Sequence, residues 1–87
     1  MWSIPDDIAG LPRERRAHRL VDLAHAHTLA GDRESAVDTL LEAEAEAQEE
    51  VTGRPRSRQL VTDLGLLGAA SREGQLRALA ARCGLPG

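Results

Sequence analysis

Apolar positions recur every three or four residues along most of this chain, the spacing that gathers side chains on one face of an α-helix. Over residues 12–29, Leu20, Leu23, Ala24 and His27 fall on one face with Arg16 at its edge, while His18, Asp22 and His25 fall on the other. "AGD" interrupts the pattern: Gly31 suits the left-handed residue that closes a helix, and Asp32 suits the cap of the next. A second helix is predicted over residues 33–51, with Ala36, Leu40, Ala43, Ala47 and Val51 in one stripe, widened by Val37. Its other side carries Glu42, Glu46, Glu49 and Glu50. Acids near a helix C-terminus oppose its dipole, so the last turn is expected to fray before "TGRPR".

Gly53 and Pro55 mark the next break, a loop over residues 52–56. A third helix is predicted over residues 57–70, with Leu60, Val61, Leu64 and Leu67 inward. Gly65 and Gly68 each weaken that helix relative to Ala, by about 1 kcal/mol, which argues for a packing reason such as close approach of another helix. A fourth helix over residues 72–83, capped by Ser71, turns Leu76, Leu79, Ala80 and Cys83 inward, and Gly84, Leu85 and Pro86 stop it. The expected fold is all-α: two antiparallel helical hairpins, residues 12–51 and 57–83, in one small domain spanning 12–85. Residues 1–11, "MWSIPDDIAGL", form an extended lead-in, because Pro5 and Pro12 bias their predecessors away from helix; Trp2 and Ile4 are free to tuck against the body.

Composition supports the helical reading. Apolar residues make up 41% of the 87 positions, mostly Leu and Ala, and Trp2 is the sole aromatic. Strand formers are correspondingly scarce, and small side chains must do much of the helix packing. The net charge of −3 argues against a dedicated nucleic-acid binder, which carries a basic excess. All basic residues are Arg, and Lys and Asn are absent; with so much Ala and Gly this suggests a GC-rich genome such as that of an actinomycete. Cys83 is the only cysteine, so no intrachain disulfide forms and a reducing cytoplasm is expected. No apolar run approaches a membrane span, and the start lacks a secretion signal.

The set Leu20, Leu23, Ala24, His27, Gly31, Asp32, Ala36, Leu40 and Ala43 resembles the tetratricopeptide repeat, whose period is about 34 residues. Leu20 stands where that repeat usually has Trp, His27 where it has Tyr, and Gln48 near its closing Pro. "RERRAHRLVDLAHAHTLAGDRESAVDTLLEAEAEA" together with "LRALAARCGL" resembles the C-terminal sensor region of actinobacterial helix-turn-helix regulators of the xenobiotic-response-element type. That resemblance implies a tetratricopeptide-like module that receives a signal or a partner; the family's DNA-binding domain has no counterpart here.

Candidate chemistry is sparse. Glu14, His18, Asp22 and His25 share a face that could meet a divalent metal, although helical metal pairs are usually closer together, as in H-E-x-x-H; the plainer reading is an ion-paired, solvated face. His27 could be a pH-sensitive contact, or simply a hydrogen-bonding side chain at a helix crossing. Arg54, Arg56 and Arg58 in "RPRSR", with Arg13, Arg15 and Arg16, could grip an acidic partner or the chain's own Glu-rich helix. The Glu42–Glu50 block could meet a basic partner or be a solvated face. Cys83 reads as a small buried hydrophobe, and no catalytic constellation or phosphate loop is visible. The function expected is non-catalytic binding of a protein or peptide, regulatory or accessory, without a cofactor. Gly65 and Gly68 would support a homodimer, and Arg16, Leu20 and His27 a peptide groove. The alternative is a small metal-dependent protein or enzyme using the His18/Asp22/His25 face.

Overall fold

The computed structural model describes residues 12–85; the lead-in predicted for residues 1–11 and the Pro86 stop lie outside them. All regular structure among the described residues is helical: α1 Arg13–Leu29, α2 Arg33–Glu46, α3 Gln48–Thr52, α4 Pro55–Leu67, a 3₁₀ turn Ala70–Arg72, and α5 Glu73–Arg82. The radius of gyration, 11.9 Å, is what a folded chain of this size gives. None of these helices is long and apolar enough to cross a membrane.

α1 ends in a Schellman motif. Gly31 takes φ +83°, the Asp32 N–H donates to the His27 carbonyl and the Gly31 N–H to that of Thr28, so two otherwise orphaned carbonyls are satisfied. The Asp32 carboxylate then accepts from the Ser35 N–H at 3.2 Å and caps α2. The chain reverses over residues 30–32, and Arg16 near the start of α1 reaches Glu46 at the end of α2 with a 2.7 Å hydrogen bond. α1 and α2 are therefore antiparallel. Ala17, Leu20, Val21 and Ala24 of α1 are buried with Ala36, Val37, Leu40 and Ala43 of α2. Alanines let the two backbones come close, so this contact is filled without large rings.

The predicted second helix is broken. α2 stops at Glu46, Ala47 is extended at φ −155° and ψ 96°, and α3 begins as a separate turn. No basic residue stands in the last turn of α2, so the acids crowding its C-terminus are met instead by arginines of other helices, Arg16 at Glu46 and Arg82 at Glu44. The break carries the chain over α1 toward α4 and leaves Val51 fully buried. The Ser57 hydroxyl donates to the Glu50 carbonyl at 2.7 Å and ties α3 to α4.

Pro55 is the first residue of α4 rather than part of the loop; its missing N–H costs nothing there. Leu60, Val61 and Leu64 are buried, but Leu67 is 54% exposed, against the inward position predicted for it. Gly68, at φ +87° and ψ 144°, ends the helix; its packing reason is this backbone turn, not a helix crossing. Ser71 does not cap α5. Its N–H and hydroxyl both donate to Glu34 of α2, while the Glu73 carboxylate accepts the Ala69 N–H. α5 closes as α1 does: Gly84 sits at φ +74°, its N–H donates to Ala81 and that of Leu85 to Ala80.

Three contacts align α5 and the 3₁₀ turn before it with α2. Glu34 accepts from Ser71, Arg72 donates to Asp38 at 2.8 and 3.2 Å, and Arg82 donates to Glu44. The numbers rise together, so α5 runs parallel to α2. Leu76, Leu79 and Cys83 join the core from this side.

Candidate functional site

The most site-like feature lies between α4 and α5, on a side lined, among the described residues, only by these two helices and Leu85. Val61 and Leu76 form its floor and are almost fully buried. Leu66, Ala80 and Leu85 form its apolar walls, and Glu73 and Arg77 its charged rim. The volume is ≈ 370 Å³, at the lower end of the range for ligand pockets. Leu66 is 83% exposed at its edge. Gly65 also lines it, and a Cβ built there would meet nothing within 4 Å. Local sequence explains the shape: a glycine followed by leucine near the end of α4 leaves a notch beside a projecting side chain. The closing motif of α5 folds Leu85 back over Ala80.

The other predicted residues are distributed differently. Leu20 is fully buried in the core and offers no surface, so it cannot line a groove with His27 and Arg16. Arg16 is bound to Glu46, and His27 is half-buried near the end of α1. Arg54 pairs with Glu50 at 3.1 Å and Arg56 with Asp22 at 2.6 Å, so both reach acids of the chain itself. Arg58 is half-buried, and its Nε has no hydrogen-bond partner. Gly65 faces the groove; Gly68 forms the turn at the end of α4.

The histidine face of α1 is ionic. His18 lies 3.7 Å from Asp22, whose other oxygen holds Arg56. Glu14, Arg15, Arg19 and Glu50 complete a shallow polar hollow around them. Among the described residues no three His, Cys, Asp or Glu side chains are grouped so as to hold a metal. His25 sits deeper: its Nε2 is buried without a partner, and burial, reinforced by Arg56, lowers its pKa against the opposing pull of Asp22 and Asp63. Cys83 is buried, and that burial raises its thiol pKa, the opposite of what an activated nucleophile needs.

Sequence reasoning named Gly65 but missed Leu66, Leu76, Arg77 and Leu85 as neighbours in one groove. The signal was present in "LGLL", where a glycine sits in an apolar run wider than one buried stripe. No family model, curated protein or solved structure matches this chain.

Proposed function

We propose that this chain acts by binding rather than by turnover, as a small tetratricopeptide-like interaction module with a regulatory role. The observation that carries the reading is the groove between α4 and α5. It is apolar on floor and walls, open to solvent, and edged by a leucine that is 83% exposed. Exposing a large side chain beside an open apolar notch is the arrangement expected of a surface that another apolar surface covers.

Two further features support the tetratricopeptide-like part. The first two helices fold back at Gly31 with small residues at their contact, and α5 runs parallel to α2, as stacking of successive hairpins requires. The regulatory part rests on the resemblance of "RERRAHRLVDLAHAHTLAGDRESAVDTLLEAEAEA" and "LRALAARCGL" to the sensor region of actinobacterial helix-turn-helix regulators. In this reading the acidic surface of α2 is structural, since Glu34, Asp38 and Glu44 are bound by α5 and the turn before it.

Selection of a displayed peptide library against the folded chain tests the proposal. Binders are expected to be amphipathic, and to be lost when Leu66→Glu places a charge at the groove edge. A library with no binder sensitive to Leu66, combined with the absence of self-association, would refute it.

A further inference from the structure

Resting on the binding role just proposed, we infer that the α4–α5 groove takes a second copy of this chain, in a two-fold arrangement with α5 antiparallel to its counterpart. The argument begins with charge. Glu73 and Arg77 are one helical turn apart on α5 and both stand on the groove rim. Among the described residues Arg77 has no ion pair or hydrogen bond. Glu73 has no ion pair; its carboxylate accepts one N–H, through Oε1. In a two-fold interface every contact occurs twice with its members exchanged. An axis passing between residues 73 and 77 brings each Arg77 against the other copy's Glu73, so a single pair of side chains satisfies both copies. A foreign partner would have to bring its own acid and base in matching order.

The apolar part of the groove fits the same occupant. Leu66 projects beside Gly65, where a Cβ would meet nothing within 4 Å among the described residues. A projection next to a notch is self-complementary: each copy's Leu66 enters the space left at the other's Gly65. Gly65 weakens α4 relative to alanine, and no contact among the described residues requires it. Close approach by another backbone does. Small domains with thin cores are commonly completed by association, and the buried residues among those described include five alanines.

Sedimentation equilibrium on the full chain, from low micromolar to the solubility limit, tests the inference, with circular dichroism confirming helicity of every variant. The wild type is expected to be a reversible dimer. Gly65→Leu should keep or raise thermal stability at high dilution, because the added side chain meets open space, yet weaken dimerisation about tenfold or more by filling the notch. Arg77→Glu and Glu73→Arg should each weaken it, and an equimolar mixture of the two should recover it as a heterodimer, since the Glu–Glu′ pairs of one homodimer and the Arg–Arg′ pairs of the other are replaced by Glu–Arg′ pairs on both sides. A dimer indifferent to Gly65→Leu, or variants that stay apart on mixing, would overturn the two-fold pairing. A wild type that remains monomeric while a displayed peptide occupies the groove would overturn the inference and leave the binding role intact.

Discussion

Arg82 holds Glu44 through both carboxylate oxygens, its Nε and one terminal nitrogen each at 2.7 Å. This two-pronged contact joins the end of α5 to α2 across 38 positions of sequence, and the hydrogen bond raises the arginine's pKa further. Glu44 is largely covered, but Arg82 keeps 41% of its side chain exposed, so water screens the pair. The expected coupling energy is accordingly modest, about 0.5–1 kcal/mol. A double-mutant cycle with Arg82→Leu and Glu44→Gln, read by urea denaturation, should give that value and lose part of it at 1 M salt, where screening shortens to about 3 Å. A coupling of zero would mean that packing and the Ser71–Glu34 and Arg72–Asp38 contacts align α5 with α2 without it.

The backbone between α4 and α5 gives a pair of opposite expectations. Gly68 sits at φ +87° and ψ 144°, a region that side chains rarely adopt, and an added Cβ would also lie 3.4 Å from the Glu73 carboxylate. Gly68→Ala should cost about 1–3 kcal/mol. Two residues later Ala70 already has φ +49° and carries such strain, so Ala70→Gly should be neutral or stabilising by up to about 1 kcal/mol. Chemical denaturation of both variants checks the contrast; a shift of the same sign in both would refute it.

Much of this fold is legible because helix ends are written locally. Gly31 with Asp32, and Gly84 with Leu85, announce Schellman closures that depend on a few adjacent residues, and both form where the sequence indicates. The break at Ala47 is not legible in that way. Ala and Glu are good helix formers, and the stripe through Ala43, Ala47 and Val51 continues without a phase change. What decides against continuity is tertiary: Glu44 and Glu46 are drawn to Arg82 and Arg16 from two other helices. The exposed end of α4 was hidden for a related reason. Helical periodicity assigns Leu67 inward, but the helix ends there and the Gly68 turn leaves it in solvent. Which face of a short helix is covered depends on partners that the sequence places far away.

His25 sets a pH dependence. Its ring nitrogen Nε2 is buried and unpartnered. Burial first, then the positive charge of Arg56, holds its pKa below the ordinary 6.5 despite Asp22 and Asp63. The unfolded chain therefore binds a proton at this residue at a higher pH than the folded chain does. Stability is expected to be level above about pH 7 and to fall as pH drops through 6.5 toward the lowered folded value. Asp32 and Glu34 are shifted down by hydrogen bonds from Ser35 and Ser71, so their contribution is lost only in the more acidic carboxylate range. Urea midpoints measured between pH 5 and 7.5 should slope for the wild type and flatten for His25→Gln; an unchanged slope would place the titrating group elsewhere.

Leu40 and Leu67 carry the same side chain and predict opposite outcomes. Leu40 is fully buried in the central stripe of α2, where it meets the α1 face built on Leu20, Val21 and Ala24. Leu67 ends α4 with more than half its surface in solvent. Leu40→Ala removes buried methyl groups and leaves a cavity that neighbouring alanines are too small to fill, so the cost should be about 2–5 kcal/mol. A domain this small has about 5–10 kcal/mol in total, and the midpoint of thermal unfolding should fall by about 10 °C or more. Leu67→Ser, compared at the same high dilution, should move stability by no more than about 0.5 kcal/mol. If the two variants melted alike, the α1–α2 contact would not be the centre of the core. If Leu67→Ser were the more damaging, the end of α4 would be packed rather than exposed.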